Sequence, residues 1–315
     1  MSDFLTAFYG QPAKAEGTGI GAKFSRFLSN IELSPTQKEN ASARHRALRA
    51  KLDIEFPGSR SFIVGSYGKN TSIRPPSDLD IMLVLPTHIY DRYSTIGYLL
   101  GSRNAQSEFL QEIKRRIQKV YPNTDMSADG QVIVLKFANS FSVEIIPCFE
   151  ISGFYSKKYR IADTNHGGRW REEDPDGESA AITASNKLTN GNTVRLIKML
   201  KCWKRTCNVP LKSFHLEILA QDFLRSYEHK DKSTLYFDYM TRDFFKWLYG
   251  RVDNFFGVYI TRPGTGESIN IGTTWQSKAE SARDRALKAI DYENREMPYS
   301  ANGEWQKIYG TDFSG

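Results

Sequence analysis

The chain reads as an α+β protein, a mixed β-sheet with flanking helices followed by a helical lobe. Three observations predict this. Short apolar runs, "SFIV", "DLDIMLVL", "GQVIVLKF" and "FSVEIIPCF", fall between residues 61 and 149 and have the length and β-branched content of strands. Segments with apolar residues three to four apart lie before, between and after them, as amphipathic helices require. Beyond residue 193 only that helical pattern remains.

The elements follow in order. Residues 1 to 22 show little periodicity, and "FSRFLSNIELSPTQKENASARHRALRAKLDIEF" then predicts a helix, a Ser-Pro break and a second long helix. "SFIV" is a short buried strand and "DLDIMLVL" a longer one. In "QSEFLQEIKRRIQKVY", Phe109, Leu110, Ile113, Ile117 and Val120 share one helical face, so this helix lies on the sheet. Its opposite face carries Lys114, Arg115, Arg116 and Lys119, a solvated surface or a weak site for an activating ligand. "GQVIVLKF" and "FSVEIIPCF" predict a hairpin around Ala138, Asn139 and Ser140. The polar, Gly-bearing stretch from 152 to 192 is expected to be loops crossing between two lobes. The helices after it are "TVRLIKMLKCWKRTC", "SFHLEILAQDFLRSY", "TRDFFKWLYGRVDNFF" and "SKAESARDRALKAIDYENRE". The expected division is 1–160 for a core lobe with an N-terminal spine helix and 161–315 for a mainly helical lobe, and no fixed-period repeat is present.

Composition bounds the function. The chain has 315 residues, 40% of them hydrophobic, which suits an ordinary globular protein with a substantial core. A net charge of +7 favours anionic partners without choosing among nucleotides, nucleic acid and acidic surfaces. The three cysteines, Cys148, Cys202 and Cys207, form no CxxC pair, so reduced core residues are expected rather than a disulfide framework or a zinc site. The five histidines show no metal-ligand spacing. The longest apolar run, "IMLVL", is far too short to cross a bilayer, and no signal peptide is evident, so a cytoplasmic monomer with no membrane partner is expected.

The chemistry concentrates in "GSYGKNTSIRPPSDLDIMLVL". Asp78 and Asp80 alternate along an extended segment and project to one side, about 7 Å apart. Two like charges at the mouth of a buried strand call for a positive partner. Mg²⁺ answers that need, because it takes oxygen ligands and is held by one or two carboxylates together with substrate phosphates. Glu144 is the one polar interruption in an apolar stretch of a neighbouring strand and supplies a third acid. Such a trio suits two ions, Mg²⁺ or in its place Mn²⁺, clamping the attacking and leaving oxygens of a phosphoryl or nucleotidyl transfer. Gly65 and Ser66 directly follow a strand, where bare amides and a hydroxyl can face a phosphate. The plain alternative is that Asp78 only caps the turn after "PPS" and that Gly65-Ser66 is only a turn.

"GSYGKNTSIRPPSDLDIML" resembles the G-S, eleven to twelve residues, D-x-D signature of the polymerase-beta-like nucleotidyltransferases, with "VEIIP" as the strand of the third acid. "GGRWREEDP", "VRLIKMLKCWKR" and "LKSFHLEIL" are similar in order and spacing to the bacterial cyclic-oligonucleotide synthases of the CD-NTase family. Matching segments run from about residue 24 to about 290. The third acid is often Asp in that superfamily and is Glu144 here, a longer ligand of the same chemistry.

The resemblance implies a polymerase-beta-like core with its active site in a cleft between lobes. It implies Asp78, Asp80 and Glu144 as catalytic metal ligands, Gly65 and Ser66 at the triphosphate, and cationic contact to the triphosphate from Lys201 first and Lys204 second, with Ser213 as a hydroxyl partner. Helical geometry puts Lys201 at the edge of the apolar stripe and Lys204 inside it, with Lys198 and Arg205 toward solvent, so snorkelling is the plain reading of the first two. Ser213 reads equally as a helix N-cap, and Trp170 as a base-stacking ring or a core plug. The implied substrates are ribonucleoside triphosphates, ATP or GTP and conceivably pyrimidine nucleotides. The implied product is a cyclic messenger feeding a downstream effector protein in antiphage defence. The other readings are a nucleotidyltransferase that modifies RNA or protein, and a catalytically silent nucleic-acid-binding module.

Overall fold

The structure is a computed structural model and describes residues 19–99, 104–137, 141–152, 157–252 and 257–314. Helix α1 spans Gly19–Ile31 and α2 Pro35–Glu55. Strand β1 (Arg60–Ile63), the single turn α3 (Gly65–Gly68) and β2 (Leu79–Val84) follow. Then come α4 (Thr87–Leu99), α5 (Ala105–Val120), β3 (Asp125–Asp129), β4 (Val132–Lys136), β5 (Val143–Ser152), β6 (Lys157–Asp163) and β7 (Arg169–Glu173). The remainder is α6 (Pro175–Leu188), α7 (Asn192–Cys207), α8 (Ser213–Ser226), α9 (Phe237–Tyr249), β8 (Tyr259–Thr261), β9 (Ser268–Asn270), α10 (Gln276–Asn294) and α11 (Pro298–Tyr309).

Two compact units result. One comprises Glu32–Ala184 with Ile260–Ile269; the other takes the chain up to Ile31, Ser185–Tyr259 and the part from Asn270 onward. The division expected at residue 160 is therefore corrected on two counts. Helix α1 belongs with the helical unit, not with the sheet, because Phe24 and Phe27 are fully buried against the aromatic rings of that unit. The segment expected to be crossing loops contains β6 and β7, which extend the sheet, and the whole of α6. Their charged residues pair across the strands, Arg160 with Glu172 for example, which hides them from a search for apolar alternation.

In the sheet unit the strand order is β1-β2-β5-β4-β3, with β6 on β5 and β7 on β6. Strand β5 is long enough to serve both halves. Its first residues pair parallel with β2 and antiparallel with β4, and its last pair with β6. The expected β4–β5 hairpin is present, although the turn at 138–140 lies outside the described residues. Alternation then sorts the side chains: Leu79, Ile81 and Leu83 enter one core with Leu48 and Leu52 of α2 and Phe109, Ile113 and Ile117 of α5. Met82, Val84 and Cys148 form a smaller cluster on the other face with Tyr159 and Ile161. Ser34 and Gln37 start α2 with a reciprocal capping box and Pro35 at its first turn, as the Ser-Pro break predicts. Trp170 rests against Tyr90, Phe109 and Phe149, so its ring is a core plug within the sheet unit.

The helical unit is organised around rings from distant segments. Phe24 lies edge-on to Trp305 at 5.2 Å and to Phe313 at 5.1 Å, and also meets Phe237 and Tyr309. The cysteines are free, and burial raises the thiol pKa of each, so they are inert apolar fillers. Among the described residues no helix is long and apolar enough to cross a membrane. Replacing Phe24 with Ala removes a fully buried ring from five aromatic contacts and should lower stability by about 3–5 kcal/mol. Denaturant unfolding followed by tryptophan fluorescence checks this, and an unchanged midpoint would contradict the packing.

Candidate active site

The site is built where β2 and β5 begin. Their parallel register sets Asp80 directly opposite Glu144, and both belong to the sheet face turned away from Leu79 and Val143. Asp78 precedes β2, and its carboxylate accepts a hydrogen bond from the hydroxyl of Ser142, just ahead of β5. The Leu79 amide donates to the Ser142 carbonyl at 2.9 Å and holds the two strand entries together.

The carboxyls do not sit in comfort. Burial raises the pKa of Glu144, the charge of Asp78 raises it further, and a side-chain hydrogen bond with Asp80 opposes both. Asp80 and Glu144 face each other across the β2–β5 register with the Asp78 charge nearby, a grouping that a cation would relieve. Their oxygens are the donors that hard divalent cations prefer, so the residues fit Mg²⁺ or Mn²⁺. Among the described residues no three acidic, histidine or cysteine side chains form a ready-made metal cage.

Turn α3 runs beside these acids. Gly65 has φ of +60°, and a Cβ added there would lie 1.9 Å from Asp80 Oδ2, so only glycine allows the backbone this close to the carboxylate. The Val64 amide donates to the Asp80 carbonyl at 2.9 Å and ties the turn's entry to β2. Ser66 Oγ accepts from Ser72 Oγ at 2.8 Å, while the Ser66 carbonyl accepts from the Thr71 amide at 2.8 Å. A cavity of about 250 Å³ opens at Ser66, lined also by Leu33, Lys38, Ala41, Tyr67 and Asn70. It falls short of the roughly 300–1,000 Å³ of a full ligand pocket and would take only part of a nucleotide.

Gly65, Ser66, Asp78, Asp80 and Glu144 are thus brought together within the sheet unit. Lys201, Lys204 and Ser213 belong to the helical unit. Lys201 Nζ donates to Glu217 Oε1 at 2.7 Å, with the two side chains 7% and 5% exposed, so its charge is already matched. Lys204 is half-buried. Ser213 is the first residue of α8 and is exposed, and the N-cap is Lys212, whose amide is met by the His215 ring. Two expectations for α7 change. Lys198, expected in solvent, is 5% exposed because α7 is buried around most of its circumference. Arg205 remains at the surface but pairs with Asp312. On α5, Arg116 bonds Glu55 and covers the Phe56 ring, which withdraws part of the basic face from ligand binding.

Sequence reasoning missed Ser142 and Tyr67. Ser142 sits two residues before Glu144, a spacing that puts both on one face as β5 begins, which is the signal that could have found it. Tyr67 gave no such signal. Its hydroxyl is buried without a hydrogen-bond partner among the described residues, and burial, then the Asp78 charge, raises its pKa.

Comparison with known proteins agrees with this geometry. The family described as the Second Messenger Oligonucleotide or Dinucleotide Synthetase domain matches residues 19–186. A cyclic AMP-AMP-AMP synthase of Acinetobacter sp. is 27% identical, covering 92% of this chain and 84% of the relative. A probable cyclic nucleotide synthase of Bacillus cereus is 22% identical, covering 82% and 83%. Among solved structures, the Vibrio cholerae cyclic AMP-GMP synthase with a linear intermediate superimposes with a TM-score of 0.73 at 12% identity, covering 93% of this chain and 97% of the other. The Escherichia coli CdnC in its HORMA complex gives 0.68 at 18%, covering 96% and 100%. At these identities the two solved structures establish the fold, which is the polymerase-beta-like one expected.

Gly65→Ala should abolish Mg²⁺-nucleotide binding, since its methyl group and the Asp80 carboxylate cannot share one place. Isothermal calorimetry with Mg²⁺ and ATP or GTP checks this, and retained affinity would show that the turn does not abut the site.

Proposed function

The chain belongs to the Second Messenger Oligonucleotide or Dinucleotide Synthetase family, and from that premise we propose that the paired carboxyls of β2 and β5 run a Mg²⁺-dependent joining of ribonucleoside triphosphates into a cyclic messenger. As a nucleotidyltransferase it moves a nucleotidyl group from a donor triphosphate to an acceptor hydroxyl. The observation that carries the reading is the direct register of Asp80 with Glu144, crowded by Asp78 and approached by the bare backbone of Gly65.

The residues divide the work. Asp78, Asp80 and Glu144 would hold Mg²⁺, which when bound supplies positive charge to the reacting phosphate and favours the ionised hydroxyl. Ser142 fixes one rotamer of Asp78 by its hydrogen bond. The first amides of the turn and the Ser66 hydroxyl would take the donor's phosphate oxygens, the Gly68 amide being engaged by the Val64 carbonyl at 3.1 Å, while Gly65 leaves room for the Asp80 carboxylate beneath them. A ribose hydroxyl of the acceptor attacks the α-phosphate, the bond to the bridging oxygen breaks, and pyrophosphate departs with that electron pair. Catalysis on this scheme is positioning and charge stabilisation rather than covalent chemistry by the protein. Of the two lysines that the resemblance implies at the triphosphate, Lys204 is the better candidate. Lys201 would have to leave a buried carboxylate to serve, and uncovering such a charge is strongly unfavourable.

The relatives' names support ATP or GTP as substrates and repeated transfer closing into a cyclic product. A place in antiphage defence, where the product would reach an effector protein, rests on the family resemblance alone. A silent polyanion-binding module is disfavoured, because three carboxyls at the mouth of a sheet repel a phosphate backbone that brings no cation with it.

The Asp78→Ala/Asp80→Ala variant should lose product formation on the order of 100-fold or more, with an unchanged circular dichroism spectrum. The assay supplies all four ribonucleoside triphosphates with Mg²⁺ and reads phosphatase-resistant products by mass spectrometry. Undiminished cyclic product from that variant would sink the reading.

A further inference from the structure

The acidic end of "GGRWREEDP" and the hairpin β8–β9 have no part in the chemistry above, yet both join Lys69 in one chain of charges within the sheet unit. Lys69 Nζ donates to Glu178 Oε2 at 3.0 Å, and the two side chains are only 9% and 16% exposed. The other oxygen of Glu178 lies 2.9 Å from Arg262 Nε. Arg262 Nη1 reaches Glu173 at 3.0 Å and Glu267 at 3.4 Å, and Arg171 approaches the same two carboxylates at 3.6 and 3.4 Å. Lys69, Arg171 and Arg262 thus balance Glu173, Glu178 and Glu267. Burial drives the Glu173 carboxyl above its usual range even with two guanidinium groups beside it, while Glu267 at the outer end of the chain is 43% exposed.

The hairpin is seated by backbone shape as well as by charge. Asp174 is 1% exposed, and its Oδ1 accepts from the Gly177 amide at 2.6 Å at the start of α6. Gly264, in the turn between β8 and β9, has φ of +81°, and a Cβ there would lie 2.7 Å from the Asp174 carboxyl carbon. A Cβ on Gly177 would lie 2.8 Å from Gly264 Cα. Any side chain at either glycine would therefore lift the hairpin away and draw Arg262 off Glu178.

At its other end the chain of contacts reaches the site. The Lys69 amide donates to the Gly65 carbonyl at 3.1 Å and closes the turn that carries Ser66. Gly65 in turn rests on Asp80. Buried ion pairs add little net stability compared with apolar packing, but they fix geometry. Asp80 has independent support from β1 and β5, so loosening Lys69 displaces Ser66 first and the acids least.

The geometry points to Glu178 and Arg262 as positioning residues: the seated hairpin β8–β9 sets the phosphate-facing turn through Lys69 and thereby governs affinity for the nucleoside triphosphate. The assignment rests on the reading of Ser66 and Asp80 given under Proposed function.

The test uses the full chain with Lys69→Met, Glu178→Gln, Arg262→Met, Arg262→Lys and the Lys69→Met/Arg262→Met pair. Steady-state rates are measured for each ribonucleoside triphosphate with Mg²⁺. Arg262→Met and Glu178→Gln should each raise KM about 3- to 30-fold while kcat stays within about threefold. Arg262→Lys should recover most of the loss. The double variant should be no worse than the poorer single variant, because both substitutions act through Glu178. A lowered Tm with KM unchanged, or single effects that simply multiply, would overturn the relay. If Arg262→Met does not fold, the near-isosteric Glu178→Gln decides alone by the same KM criterion. Asp80→Ala, run in parallel, separates the two claims. Full turnover in Asp80→Ala refutes the nucleotidyltransferase site itself, whereas its inactivity beside an unaltered Arg262→Met refutes only the relay.

Discussion

Two carboxyl groups forced into register on adjacent parallel strands are the constraint around which the sheet unit is arranged. Every backbone hydrogen bond that holds β2 to β5 also presses Asp80 against Glu144. Repulsion of this kind weakens a fold unless a proton or a cation relieves it. The protein retains the conflict and surrounds it with rigid support: β1 and β4 on the outer edges of the pair, the Ser142 hydroxyl on Asp78, and the backbone of Gly65 against Asp80. On the proposed function, a divalent ion with its polyphosphate would relieve that conflict.

The same economy of approach recurs away from the acids. Gly65 brings a turn onto a carboxylate, and Gly177 and Gly264 bring a helix start and a hairpin onto another carboxylate, Asp174. In both places a missing Cβ converts a polar side chain into a seat for backbone. The charges around Arg262 then join the two seats through Lys69, so the Gly65–Gly68 turn is tied to a segment nearly two hundred residues downstream. Stability of the helical unit comes from different physics, interlocked aromatic rings from α1, α9 and α11.

Legibility in the sequence followed the strength of local signals. The strands carrying the acids stood out because Asp and Glu interrupt otherwise apolar runs, but the direct register of Asp80 with Glu144 came from the structure. Strands β6 and β7 were not legible: "KKYRIAD" and "RWREE" are charged, and their pairing rests on cross-strand ion pairs that no single-segment pattern reveals. Lys198 and Lys201 misled for a related reason. A lysine beside an apolar stripe looks like a solvent-reaching side chain until the helix proves to be covered around its circumference and, for Lys201, a partner such as Glu217 comes from another helix.

What the sequence determined by itself was the α+β class, the strands β1, β2, β4 and β5 with the long helices α1, α2, α5, α7, α8 and α10, and the singling out of Gly65, Ser66, Asp78, Asp80 and Glu144. Periodicity and residue chemistry are local properties, and these features depend on nothing else. Only tertiary structure decided that α1 leaves the sheet, that the Ser142 hydroxyl donates to Asp78, and that Arg262 reaches Lys69 through Glu178. Those facts depend on segments far apart in the chain meeting within a few ångströms, and the free energy of such meetings resides in buried area and paired charge that no stretch of residues carries alone.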